Sequence, residues 1–220
     1  MNFEQIIVTI PALMMAVIFH EIAHGAAAYM MGDKTAKEAG RLTINPIPHI
    51  DLLGTIILPG ILMLVGSPIL FGWAKPVPID PRRFKNLRMG MFIVSLAGAM
   101  ANITMAVLGA VVFRLLEGTI ASDINPLFFA SVVDPLLWFS RELVIINLVL
   151  AFFNLLPIPP LDGSRVVMSF FSVKYWQEFY KFEPYGFLIL TLLIFTGVIG
   201  RIIYPFIAIA YKILLGGFGI

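Results

Sequence analysis

The stretch from Gln5 to Met31, QIIVTIPALMMAVIFHEIAHGAAAYMM, decides how the chain must be read. It exceeds the roughly 20 residues that a helix needs to cross a hydrocarbon core of about 30 Å. Its ionisable groups are confined to Phe19-His20-Glu21-Ile22-Ala23-His24. Such groups at membrane depth are costly, and each is a functional candidate by default. Residues at i and i+4 share one helix face, so His20 and His24 can hold one metal ion. Glu21 projects beside them, where it can take a proton from water activated by that ion.

The rest of the chain supports a membrane setting. It has 220 residues, 60% hydrophobic and 13% charged, with a mean hydropathy of +0.95. Soluble domains carry about 25% charged residues. A soluble enzyme, a disordered chain and a nucleic-acid binder are therefore excluded as first readings. With no Cys, the chain has neither a disulfide framework nor a thiolate metal site. The first stretch carries Glu4 and no basic residue ahead of it, so it does not read as a signal peptide.

Further apolar runs extend over Leu52–Phe71, Met89–Phe113, Leu143–Leu161 and Tyr185–Gly200. Ile202–Tyr211 continues the last run or forms an interfacial helix. Gly54, Pro59, Gly60, Gly66 and Pro68 interrupt the second run, which argues against a straight helix. If that run is a re-entrant hairpin, its flanking loops and loop 162–184 lie on one face and hold 11 of the 15 Lys and Arg. A full crossing splits those loops 8 against 3. The positive-inside rule favours the hairpin, with the N-terminus outside and the basic loops cytoplasmic. Ser164–Phe182 reads as an amphipathic interfacial helix. The expected fold is an all-α polytopic membrane protein with about four full transmembrane helices, one Pro/Gly-broken segment and short β-like loop strands. Residues 1–220 read as one integral membrane domain.

H-E-x-x-H is the pattern of zinc-dependent proteases. Its bland alternative is a structural pairing of Glu21 with a His. The coincidence of two of the three His with the most deeply placed acid favours the metal. A third ligand is needed. Asp162 follows the Pro157-Ile158-Pro159-Pro160 helix break, where non-helical backbone at membrane depth must line a cavity or lie within protein. His49, in Asn45-Pro46-Ile47-Pro48-His49, is the other candidate. Asn102 and Asn154 are neutral polar groups in or at the end of apolar spans and are candidates for stabilising an oxyanion. Asn147 reads as structural. Backbone pairing along Arg41, Leu42 and Thr43, or along Trp73 and Lys75, would suit an unwound substrate segment.

H-E-x-x-H in an early span, with Asn154-x-x-Pro157-x-Pro159-Pro160-Leu161-Asp162-Gly163, resembles the site-2 protease family of intramembrane zinc metalloproteases. Ala97-Gly98-Ala99-Met100-Ala101-Asn102 is similar to that family's A-G-P-x-x-N segment, with Ala99 in place of Pro. Phe71-Gly72-Trp73-Ala74-Lys75-Pro76-Val77-Pro78 resembles its short prokaryotic branch, which lacks PDZ and CBS domains. The resemblance implies one zinc ion per chain on His20, His24 and Asp162, with Glu21 as general base. It also implies membrane-protein substrates cut within transmembrane helices near the cytoplasmic face of the cell membrane, and no nucleic-acid partner. A metal-binding transporter, or an inactive relative that binds membrane helices, is the alternative. The sequence leaves substrate identity and oligomeric state open.

Overall fold

The computed structural model describes residues 3–65, 72–119 and 125–216. The protein is an all-α polytopic membrane protein. Helix α1 spans Phe3–Met31, and α2, Leu58–Leu64, follows a π-helical turn over Leu52–Ile57. Then come α3, Leu87–Thr119, and α4, Asp134–Asn154. The short α5, Asp162–Ser169, precedes α6, Trp176–Phe195, and α7, Val198–Leu215.

Among the described residues, four helical stretches are long and apolar enough to cross a membrane: Ile7–Met31, Leu87–Gly118, Pro126–Asn154 and Val198–Leu215. Two differ from the expected spans. The third begins near Pro126 rather than Leu143 and stops at Asn154 rather than Leu161. Arg141 is accommodated because it donates to the hydroxyl of buried Tyr211 at 3.0 Å, and the three Pro of 157–160 cannot continue a helix. The last span is Val198–Leu215, not Tyr185–Gly200, because Gly197 at φ 72° separates α6 from α7. Ser164–Phe182 is likewise not one interfacial helix. It is divided among α5, a 3-10 turn at Val173–Tyr175 and the start of α6.

The core joins α3, α4 and α7 through Ala106, Ala110, Val144, Leu148, Ile203 and Ile207. Gly109 lets α3 approach α4: a Cβ there would lie 3.2 Å from the Ser140 carbonyl. Helix α1 packs against both α3 and α4, with Ala12, Met105 and Leu143 at the junction.

The residues flanking the broken second run are hydrogen-bonded to one another. Trp73 N–H donates to Gly54 O (3.2 Å) and Lys75 N–H to His49 O (2.9 Å). Lys85 N–H donates to Met31 O at the end of α1 (3.0 Å). Residues 66–71, with Gly66 and Pro68, lie outside the described residues. Exposed Leu52, Leu53, Ile56, Ile57 and Ile61 line the near arm of this segment. Among the described residues no β-strand forms. Residues 40–44 are turn and bend, and 73–79 are extended without a ladder, since Pro76 and Pro78 supply no ladder donors.

Asp33 ties this end together. It is fully buried, its Oδ1 accepts from Thr35 N–H (2.9 Å), and its Oδ2 accepts from Asp80 N–H (2.7 Å). Burial opposes its ionisation, but these hydrogen bonds and that of the Thr35 hydroxyl outweigh burial and hold its carboxyl below the ordinary value. A depressed folded value means that the stabilisation is complete above about pH 4 and is lost as pH falls through the lower folded value. Asp33→Ala is expected to destabilise the protein by about 1–3 kcal/mol through orphaned amides. Thermal unfolding in detergent at neutral pH and at pH about 3 checks both: the gap between variant and wild type narrows in acid.

Candidate metal centre

The site lies within the membrane-crossing part of α1. His24 and His20 precede the end of the helix at Met31 by seven and eleven residues, which is about 10 and 16 Å along the axis. Their spacing turns both rings toward α3. There the Gly98 backbone lies flat against them: a Cβ at this position would sit 2.5 Å from His20 Cε1 and from His24 Nε2. Only a residue without a side chain leaves room for the pair.

The outer nitrogens fix the tautomers. His24 Nδ1 is 2.7 Å from the Val94 carbonyl, which can only accept, so Nδ1 carries the proton. For His20 the same follows from a longer relay. Asn147 Nδ2 donates to Leu143 O (2.7 Å), which leaves Asn147 Oδ1 to accept from Asn102 Nδ2 (2.8 Å). Asn102 Nδ2 also donates to Ala16 O (3.1 Å), so Asn102 Oδ1 accepts from His20 Nδ1 at 2.7 Å. Asn102 and Asn147 are both fully buried.

Both Nε2 atoms are therefore bare lone pairs, and they face each other at 2.9 Å. Asp162 Oδ2 completes the triangle, 3.3 Å from His20 Nε2 and 3.2 Å from His24 Nε2. It is buried and has no hydrogen-bond partner among the described residues. Three proton-free donors held together are repulsive unless a cation lies among them. Bonds of about 2.0–2.1 Å in a tetrahedral site give ligand–ligand edges of about 3.3 Å; the two edges to Asp162, 3.3 and 3.2 Å, match, and the His20–His24 edge is shorter at 2.9 Å. Two imidazoles and a carboxylate also suit zinc chemically. Among the described residues, His20, His24 and Asp162 are the cluster able to hold a metal.

Asp162 reaches the site because α4 stops at Asn154 and the chain turns through 155–161 into α5. Gly163 permits the turn, since a Cβ there would collide with the Leu155 and Leu156 carbonyls. The far end of α5 is clamped by Arg88, which donates to Ser169 O (3.1 Å) and Phe170 O (2.8 Å).

Glu21 lies beside the triangle on α1, half-buried, and its Oε2 accepts from Val77 N–H at 2.7 Å. The remaining candidates fall elsewhere. His49 is not a ligand: it is buried, with Nε2 3.0 Å from Thr43 O. Asn102 does not face an oxyanion, because both its amide hydrogens and its carbonyl are committed to Ala16, Asn147 and His20. Asn154 bonds back to Leu150 O at 3.0 Å, with one amide hydrogen left over. The strand-pairing positions are occupied from within. Arg41 donates to Lys75 O (2.6 Å), Leu42 packs toward Gly25, Thr43 O faces His49, and the Trp73 carbonyl accepts from Thr55 Oγ1 (2.9 Å). Trp73 and Lys75 thus have both backbone groups engaged.

Sequence reasoning missed Val94, whose contribution is a carbonyl that any residue could supply, and underrated Asn147, whose polarity in an apolar span was the signal.

Fold and site together define a multi-pass membrane protein with a candidate three-ligand metal centre set inside its helices. The chain belongs to peptidase family M50, whose profile matches residues 8–196. It is 38% identical over 194 residues to "Putative zinc metalloprotease YwhC" of Bacillus subtilis, covering 88% of this chain and 82% of that one. It is 28% identical over 198 residues to "Putative zinc metalloprotease Rip2" of Mycolicibacterium smegmatis, covering 89% and 69%. No solved structure matches it significantly.

Removing the relay behind His20 should weaken the metal without deleting a ligand. Outer partners of this kind are worth about 10–100-fold in affinity. Asn102→Ala is expected to lower zinc affinity within that range, and Asp162→Ala to abolish stoichiometric binding. Chelator-competition titrations of purified protein check both, with His49→Ala expected to match wild type.

Proposed function

We propose that the chain is an intramembrane zinc metalloendopeptidase that hydrolyses peptide bonds in the transmembrane helices of membrane-protein substrates. The observation that carries the reading is the convergence of His20 Nε2, His24 Nε2 and Asp162 Oδ2 within 3.3 Å, beside Glu21 and inside apolar helices. A site at this depth serves substrates that share the bilayer. Family membership and the names its relatives carry support the same chemistry.

Zinc, when bound, supplies a Lewis acid that polarises the scissile carbonyl and brings the pKa of water to about 7. The chain's own residues do the rest. His20 and His24 present bare Nε2 atoms because Asn102 and the Val94 carbonyl hold the other nitrogens. Glu21 takes the proton of the attacking water at Oε1 and returns it to the amine nitrogen as the C–N bond breaks. Asn154 has one uncommitted amide hydrogen at the end of α4 and is the side chain we assign to the developing oxyanion. Water reaches the site along the Pro-broken turn 155–161, where backbone leaves the helix.

The basic loops support an orientation. Lys34, Lys37, Arg83 and Lys85 gather where α1 ends, and Arg88 lies on the neighbouring start of α3. By the positive-inside rule this face is cytoplasmic, and the protein resides in the cell membrane with its site toward that side. One zinc ion per chain fits one triangle.

Glu21→Gln removes the proton acceptor while leaving all three ligands. It is expected to retain zinc at wild-type stoichiometry and to lower cleavage of a reconstituted transmembrane substrate by at least about 10³-fold, a general base alone being worth about 10²–10⁴. Unaltered cleavage in this variant sinks the assignment. Zinc movement across the vesicle without any proteolysis favours a transporter.

A further inference from the structure

Residues 72–80 cross the site as an extended strap, and alternate amides of that strap are held on one edge. Trp73 N–H donates to Gly54 O (3.2 Å), Lys75 N–H to His49 O (2.9 Å) and Val77 N–H to Glu21 Oε2 (2.7 Å). In extended backbone, residues two apart point their peptide groups the same way. Pro76 and Pro78 occupy intervening positions. They have no N–H to leave unpaired, and each keeps the residue before it, Lys75 or Val77, extended. The far end is pinned by Asp33, which accepts from Asp80 N–H at 2.7 Å.

A second clamp grips the middle of the strap. Arg41 Nη2 donates to Lys75 O at 2.6 Å. Arg41 is only 7% exposed, and no carboxylate pairs with it among the described residues. A buried guanidinium directed at a backbone carbonyl makes a charge-assisted bond with a fixed direction. Burying such a charge without a counter-ion is unfavourable, so its placement calls for a role that a neutral contact would not fill. His49 closes the clamp from the other side. Its carbonyl takes the Lys75 N–H, and its own ring is 2% exposed against Thr43 O.

We propose that Arg41 is a positioning residue for the general base: by fixing Lys75 it sets the Val77 amide against Glu21 Oε2 and so aims Oε1 at the reacting water. This rests on the reading of Glu21 as the base. A Glu side chain has three torsions, and one hydrogen bond to a rigid strap removes most of their freedom. Oε1 has no hydrogen-bond partner among the described residues, so the oxygen that moves the proton is the one left clear. A misplacement of about 1 Å in such a group is worth about 10²-fold in rate.

The test uses the full chain in liposomes, loaded with zinc, with a transmembrane-helix substrate. Arg41→Gln is expected to keep its zinc and hold KM within about twofold. It should lower kcat by about 10–100-fold and speed amide exchange at Val77. Arg41→Lys, which can still donate to Lys75 O, should recover part of kcat. Val77→Pro deletes the N–H while keeping a compact apolar side chain at an extended position, and should lower kcat by a similar factor with zinc retained, so it tests the strap's bond to Glu21 if Arg41→Gln fails to fold. Wild-type kcat in Val77→Pro, or in Arg41→Gln despite faster Val77 exchange, overturns the positioning role only. A wild-type protein that binds zinc and cuts no transmembrane substrate overturns the peptidase reading on which the role rests.

Discussion

Three lone pairs with no proton among them are held face to face, out of water. His20 Nε2, His24 Nε2 and Asp162 Oδ2 approach within 2.9–3.3 Å of one another, and nothing intrinsic to these groups favours that approach. The surrounding helices must impose it. Each orienting hydrogen bond is worth only about 1 kcal/mol net, so the arrangement depends on many of them acting through rigid elements.

Helix α3 is the frame. Its Val94 carbonyl and Asn102 amide set the two rings, its Gly98 makes room for them, and its Arg88 grips the far end of α5, which carries Asp162. Helix α4 contributes Asn147 behind Asn102 and then ends where the carboxylate is needed. A ligand set drawn from α1 and α5 is thus referred to a single third element. The amide relay matters here because its only acceptors at the far ends are the Ala16 and Leu143 carbonyls. Those carbonyls fix every donor and acceptor back to the imidazole, and the low dielectric of the interior strengthens each link.

Much of this was legible before any coordinates. The i, i+4 pair is a statement about helix geometry, and an acid after a run of Pro in an apolar chain has few bland explanations. The irregular start of the second run, a π-helical turn before a short helix, agrees with its Gly and Pro content. Other features were not legible, for identifiable reasons. The apolar run was expected to begin at Leu143, past Arg141, because the partner that accommodates that charge, Tyr211, lies seventy positions away. Asn102 was a candidate for the wrong partner because polarity in a span signals a hydrogen bond but not its direction. Arg41, Trp73 and Lys75 looked like a free edge. Their hydrogen bonds run to Gly54, His49 and one another, pairings that no local pattern encodes.

The separation of the ligands along the chain has a consequence for biogenesis. About 140 residues lie between His24 and Asp162, and translation proceeds at about 5–20 residues per second. The two imidazoles are therefore made roughly seven to thirty seconds before the carboxylate. During that interval the nascent protein offers a cation only two of its three anchors. Engagement of a cation by all three donors thus belongs to the end of membrane integration.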